Sequence, residues 1–223
     1  RIPRTLRHEL SNPMSTVQTS LELLADETDP MQQARLRAAA ERGIAKLDST
    51  LSRVTEAVSL EDALREDVLY PVDLRKLLQD YGAIQAEQHP RLRWKIDVPD
   101  APVVVDAHAL RLEQLLDKLI DNALDFTPDQ GRIWLRVRDH LTAVSLSVEN
   151  EGVGLVSTPS DDLFQLFSSS RQDATGVHLG LGLYIVRAIA ESFGASPQIE
   201  STGRGVRVTL QGFRRPGGLT GCN

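Results

Sequence analysis

Leu6, Leu10, Val17, Leu21 and Leu24 recur at three- and four-residue intervals, with Pro13 and Met14 filling the remaining turn. That spacing predicts one apolar stripe on an amphipathic helix. Asp26-Glu27-Thr28-Asp29-Pro30 interrupts it, and Asp29 followed by Pro30 predicts an N-cap and first turn of a second helix. Leu36, Ala40, Ile44, Leu47, Leu51, Val54 and Val58 continue the pattern, and from Ile44 onward the alternation is that of a heptad seam. A two-helix hairpin cannot enclose a stripe this long by itself. Two chains forming a four-helix bundle would bury it, and so would packing of the hairpin on the chain's own C-terminal part.

From about Tyr70 the period changes. A helix is expected over 73–88 and another over 110–126, while 93–98, 103–105, 133–137 and 144–148 read as strands. A polar stretch over 157–176 shows little period, 181–193 is helical, and 199–201 and 206–210 look like closing strands. The fold class predicted is α+β. A helical hairpin forming a dimeric four-helix bundle occupies 1–66. An α/β sandwich, a mixed sheet with helices on one face, occupies 67–215, and 216–223 is a flexible tail.

Composition narrows the partners. A net charge of −6 over 223 residues, with scattered Lys and Arg, argues against a nucleic-acid surface. The single cysteine, Cys222, permits no intrachain disulfide and fits a reducing, cytoplasmic setting. No apolar run approaches the ~18 residues that span a bilayer. The chain opens directly into its first helix, as a piece of a longer protein would, so membrane contact is expected only through regions preceding it.

Four segments carry candidate chemistry. In Arg7-His8-Glu9-Leu10-Ser11-Asn12-Pro13 the imidazole of His8 is available as a neutral nucleophile near pH 7. Glu9 beside it is a candidate general base, and Asn12 lies one turn along the same face. On the 110–126 helix, Lys118 and Asn122 share a polar edge, and an Asn carbonyl is a hard ligand suited to magnesium in a nucleotide site. Asn150 ends a strand and is followed by Gly152 and Gly154, which allow close backbone approach to a flat ligand. Gly180 and Gly182 lead into a helix whose N-terminus suits phosphates. No Walker-type Gly-Lys-Ser/Thr run exists.

In this order and spacing the segments resemble the sensor histidine kinases of two-component systems over nearly the whole chain. Leu6 to Pro13 resembles the H box, Asn122 to Thr127 the N box, and Asn150 to Gly154 a first glycine box. Leu163 to Phe167 resembles the F box, Gly180-Leu181-Gly182-Leu183 a second glycine box, and Gly203-Arg204-Gly205 a final one. The resemblance implies a dimerisation and phosphotransfer hairpin joined to an ATP-binding domain of the kind shared with Hsp90, gyrase and mismatch-repair ATPases. It implies ATP with Mg2+ as cofactors, a homodimer, and a response regulator receiver domain as partner. It places the phosphoacceptor at His8, magnesium at Asn122, adenine near Phe126 and Asn150, and the phosphates within reach of Arg171 and His178. It also gives Asn12 a role in orienting the water that dephosphorylates the regulator. Three positions depart from the family pattern. Lys118 replaces a second Asn, Asp125 replaces a Lys or Arg, and Asn150 replaces the Asp that recognises the adenine amino group. The function expected is ATP-dependent autophosphorylation of His8 and transfer to a regulator aspartate. The rival is a degenerate kinase that binds nucleotide weakly and acts as a dimeric scaffold or phosphatase.

Overall fold

The computed structural model describes residues 4–140, 143–154, 164 and 181–217, without the side chains of 4–6, 8, 9, 53 and 181. Two compact units meet at Leu60 and Glu61.

The first unit is built from α1 (Arg4–Asp26) and most of α2 (Pro30–Glu66). Asp29 caps α2, its Oδ1 accepting from the Met31 amide at 3.0 Å, while Glu27 Oε1 accepts from the amides of Thr28 and Asp29. The helices touch through small residues. A methyl group on Gly43 would stand 2.6 Å from Val17 Cγ2 and 3.1 Å from the Pro13 carbonyl. Ser20, Ala40 and Thr50 are likewise buried, whereas Met14, Leu21, Ile44, Leu51 and Val58 are exposed, Leu51 by 62%. Large apolar side chains at 44, 51 and 58 therefore form an outward heptad stripe, and the interhelical seam runs on small ones.

The second unit holds β1 (Tyr70–Asp73), α3 (Leu74–Gln88), β2 (Arg93–Asp97), β3 (Val104–Ala107), α4 (Ala109–Phe126) and β4 (Arg132–Asp139). It continues through β5 (Val144–Glu151), α5 (Leu181–Ser192), β6 (Ser196–Ser201) and β7 (Gly205–Phe213). A five-stranded sheet runs β2-β4-β5-β7-β6, with only the β2–β4 pair parallel. This is the expected mixed sheet.

Period-2 alternation decides which face is dry. Ile133, Leu135 and Val137 of β4, Leu146 and Val148 of β5, and Val208 and Leu210 of β7 are buried on the helix side. Leu112, Leu115, Leu116, Leu119 and Ile120 make the apolar stripe of α4, and Ile185, Ile189 and Phe193 belong to the same core. Each such side chain contributes ~1.5–3 kcal/mol when fully buried. At Gly82 of α3 a methyl group would lie 2.7 Å from Ile96 Cδ1 and 3.2 Å from Leu135 Cδ1, so α3 lies close on β2 and β4.

One departure from the sequence reading concerns β3. Rather than joining the main sheet, it pairs antiparallel with β1, in register Val72 opposite Val105. β1 itself went unanticipated because Pro71 removes a ladder donor, which is tolerated at an edge. Asp73 joins the pieces: its Oδ1 accepts from the Arg75 amide at 3.0 Å and from the Val103 amide at 3.1 Å. Among the described residues, no helix is long and apolar enough to cross a membrane.

Candidate functional site

The second unit gathers its candidates around the C-terminal half of α4. Asn122 is half-buried, and its Nδ2 is enclosed without a hydrogen-bond partner. Buried amides are nearly always paired, so an orphan at this position fits a group that turns toward a ligand. Gly182, at the start of α5, stands next to it: a methyl group there would be 3.5 Å from Asn122 Nδ2 and 3.8 Å from Oδ1. One turn further along α4, Phe126 closes the helix and is part-exposed. Its carbonyl would be 2.2 Å from any Cβ on Gly152, so no side chain fits at 152 without backbone movement. Gly152 also has φ near +154°, which penalises an L-residue. The C-terminal half of α4 thus meets the start of α5 and the end of β5, with a glycine at each contact.

Asn150 is buried, 6% exposed, and shares the helix face with Leu146 and Val148. Its Nδ2 donates to the Glu151 carbonyl at 3.2 Å, leaving Oδ1 as an acceptor. Glu149 and Glu151 alternate to the opposite face. Glu149 accepts from Arg136 at 2.5 Å, from Arg207 at 2.9 Å and from the Thr202 hydroxyl at 3.1 Å, and Glu151 Oε2 accepts from the Arg132 amide at 3.0 Å. Of these three polar residues only Asn150 faces the α4 side. Burial pushes the Glu149 carboxyl up, but the hydrogen bonds from Arg136, Arg207 and Thr202 outweigh it and hold the group below its ordinary range.

Thr202 is a residue that the sequence reading missed. Its Oγ1 accepts from the Gly205 amide at 3.1 Å and from the Arg204 amide at 3.3 Å, shaping the 202–205 turn. That turn accepts the Gly152 amide on the Arg204 carbonyl at 2.9 Å. At Gly205 a methyl group would fall 2.0 Å from the Asn150 carbonyl, so glycine is required for β7 to start here. The legible signal was the Thr in Ser201-Thr202-Gly203-Arg204-Gly205, a side chain that bonds main-chain amides two and three residues on. Tyr81 was also passed over: its hydroxyl donates to Asp117 Oδ1 at 2.7 Å, linking α3 to α4. Burial first, and then the Asp117 carboxylate, drive that phenol well above its usual value.

The remaining candidates are placed as follows. Gly154 is exposed, and a methyl group on it would be 3.1 Å from Ser201 Oγ. Asp125 is exposed, and Lys118 is half-buried one turn before Asn122. Leu181 is the first residue of α5. Arg171, His178 and Gly180 lie outside the described residues, as does the F box except for the buried Phe164. In the first unit, His8, Glu9 and Asn12 lie on α1; the side chains of His8 and Glu9 are not among those described. Asn12 is exposed, and its carbonyl accepts from Thr16 Oγ1 at 3.1 Å. Among the described residues no group of three or more His, Cys, Asp or Glu could hold a metal. A magnesium ion that takes one protein oxygen and otherwise phosphate and water is compatible with Asn122 alone.

Residues 107–215 match the family described as histidine kinase-, DNA gyrase B-, and HSP90-like ATPase. The sensor protein ChvG of Rhizobium meliloti (strain 1021) is 31% identical over 205 residues, 87% of this chain and 36% of that protein. The chain thus spans about a third of the length of that relative. The histidine kinase AdeS of Acinetobacter baumannii superposes with a TM-score of 0.55 at 24% identity, over 92% of this chain and 97% of that one. Histidine kinase ThkA, in a structure with the response regulator protein TrrA, superposes with a TM-score of 0.63 at 20% identity, over 94% of this chain and 60% of that one.

Proposed function

We propose, from the match of residues 107–215 to the histidine kinase-, DNA gyrase B-, and HSP90-like ATPases and from the likeness of the chain to sensor proteins such as ChvG, that it is the catalytic part of a sensor histidine kinase. It binds ATP in the second unit, phosphorylates His8 and passes the phosphoryl group to an aspartate of a response regulator. In domain terms, 1–66 is the phosphotransfer hairpin and 67–215 the ATP-binding domain. The observation that carries the reading is the enclosed, unpartnered amide of Asn122 between Gly182 and the Phe126–Gly152 contact.

In the chemical step an imidazole nitrogen of His8 attacks the γ-phosphorus and the bond to the β,γ-bridging oxygen breaks. ADP leaves and Glu9 takes the displaced ring proton. Magnesium, when bound, neutralises phosphate charge, and the Asn122 carbonyl is the oxygen that would hold it. Asn150 Oδ1 accepts from the adenine amino group, Phe126 packs beside the base, and the glycines at 152, 154, 180 and 182 leave the backbone open to the nucleotide. Arg171 and His178 reach the phosphates, and Lys118 supplies the cation that Asp125 does not. Asn12 orients the hydrolytic water in a phosphatase reaction on the regulator.

A homodimer is supported by the outward heptad stripe of Ile44, Leu51 and Val58, which a second hairpin would cover. The proposed setting is the cytoplasm, and any membrane attachment would be through regions outside this chain.

Incubation with γ-labelled ATP tests the core of the proposal. We expect an acid-labile, base-stable label, absent from His8→Gln although that variant still binds ATP. In Asn122→Ala, magnesium-dependent nucleotide binding is lost with the fold intact. Label on His8→Gln at the wild-type level would overturn the assignment of His8.

A further inference from the structure

The face of the main sheet that the helices leave uncovered carries charge that the nucleotide site does not use. Pleat alternation points Arg93 and Lys95 of β2 and Arg132, Trp134, Arg136 and Arg138 of β4 to this side. Over one part of the face the charges cancel. Glu149 is held by Arg136 and Arg207, Asp97 pairs with Arg138, and Glu200 pairs with Arg207 at 3.1 Å.

Toward the other end they do not. Arg93, Lys95, Arg132 and Arg204 line a cleft of about 390 Å³ together with Trp94 and Trp134. None of the four makes an ion pair among the described residues. Arg93 Nε donates to the Gln130 carbonyl at 2.9 Å, and the guanidinium of Arg204 lies 5.5 Å from the Trp134 ring. Two carboxylates lie at this end: Glu151, which accepts from the main chain of Arg132, and Asp129, which lines an adjoining cleft with Arg93. Trp134 is 3% exposed, and the guanidinium groups of Arg136 and Arg204 each lie 5.5 Å from its ring.

The arrangement suits an extended acidic chain better than other anions. Arg93 and Arg132 are register partners on neighbouring strands, ~4.8 Å apart, and Lys95 lies two residues, ~6.6 Å, along β2. Arg204 reaches the cleft from the turn before β7, on the far side of β5. A single phosphate is too small to meet all four, whereas carboxylates at alternate positions of an extended segment repeat at the strand spacing. Single-stranded nucleic acid needs exposed aromatic platforms, and Trp134 is covered. A membrane surface selects a protruding amphipathic face rather than a concave trough. We propose that this cleft docks an extended acidic segment of a partner protein, its carboxylates read by Arg93, Lys95, Arg132 and Arg204. The site is separate from the nucleotide pocket, which lies on the helix side of the same sheet.

Trp134 lines the cleft on this face, so intrinsic emission reports on it. Titration with a ten-residue peptide of alternating Glu and Ser should give a saturable change in emission whose midpoint rises with salt. Lys95→Glu with Arg132→Glu, both exposed, should weaken binding at least tenfold. Arg35→Glu with Arg37→Glu makes the same change of charge on exposed α2 positions and should leave it within twofold. Should the reversal lower the thermal midpoint, Lys95→Gln with Arg132→Gln replaces it, with at least threefold weakening expected. Equal peptide binding by the folded cleft variant and wild type would overturn the proposal. So would a silent peptide with a cleft-dependent response to phosphatidylserine vesicles or to an oligonucleotide.

Discussion

Replacing Glu149 by Ala removes the carboxylate that Arg136 and Arg207 share and leaves Arg136 with Asp97 at 3.8 Å and Arg207 with Glu200 at 3.1 Å. Glu149 is 2% exposed, while the side chains of Arg136 and Arg207 are 17% and 35% exposed. Breaking a buried pair by deleting one partner typically costs ~3–5 kcal/mol, because the other charge is left without compensation. Arg136 and Arg207 keep these second carboxylates and Arg207 is accessible enough to rehydrate, which moves the expectation to about 3 kcal/mol, the low end. For a chain of this size that is a fall of roughly 6–12 °C in the melting midpoint, at ~2–4 °C per kcal/mol. Glu149→Gln keeps an acceptor for Thr202 and loses only the charge, so its loss should be about half as large.

The pH dependence has a definite sign. The folded-state value of Glu149 lies below the ordinary 4.5, so its contribution is present above the unfolded value and is lost as pH falls through the folded one. The gap between wild type and Glu149→Ala should therefore be constant above about pH 6 and close in acid. Urea unfolding followed by circular dichroism at pH 7 and in acid measures both. A loss under about 1 kcal/mol at pH 7, or a gap that widens in acid, would refute the ion-pair account.

Three further outcomes follow from contacts described above. Leu51→Asp with Val58→Asp, both at exposed positions, should leave the hairpin helical yet convert a dimer to a monomer in sedimentation; a wild-type chain that is monomeric at micromolar concentration would remove the bundle. Gly205→Ala should weaken ATP binding and lower stability by ~1–3 kcal/mol, because a methyl group 2.0 Å from the Asn150 carbonyl forces β7 away; an unchanged melting midpoint and ATP affinity would contradict it. Asn150→Asp should tighten ATP roughly five- to tenfold through a charge-assisted bond to the adenine amino group and sharpen preference over GTP, while losing the bond to the Glu151 carbonyl and about 1 kcal/mol of stability. Calorimetric titration of both nucleotides that showed no change would take Asn150 out of contact with the base.

Much of the second unit was legible because its elements are long enough to average over local irregularity. The strand stretches around Ile133 and Val144 and the stripe of Leu112, Leu115, Leu116 and Leu119 needed only period 2 and period 3.6. What escaped were features fixed by partners distant in sequence. β1 carries Pro71 and has no period of its own to read, and it is a strand because β3 returns beside it. Gly205 and Thr202 acquire their meaning from Asn150 and Glu149, more than fifty residues earlier. The Arg136–Glu149–Arg207 cluster was equally invisible, since no local pattern announces that Glu149 stands opposite Arg207 on one neighbouring strand and diagonal to Arg136 on the other. In the first unit, the heptad predicted that residues 44–58 pack, but not that Gly43 and Thr50 would take the inner seam and leave Ile44 and Leu51 outside.

Strand β5 explains why an Asn can stand where an acid is more usual. Glu149, Asn150 and Glu151 are consecutive, so the pleat sends the middle one to the helix side and the outer two to the open face. The carboxylate at 149 is committed to Arg136, Arg207 and Thr202 and cannot turn through the sheet to serve a base on the other side. At 150, a neutral amide has a use that a carboxylate lacks. Its Nδ2 donates to the Glu151 carbonyl, which fixes the side chain and presents Oδ1 as the acceptor. An Asp there would set its charge against that carbonyl, on a buried face between the Phe126–Gly152 contact and the start of β7. The trade is positional certainty for strength. A neutral acceptor forms a bond weaker by about 1 kcal/mol, but it is held ready by a hydrogen bond that is present before any ligand arrives. On this reasoning the substitution would lower nucleotide affinity without dismantling the proposed pocket.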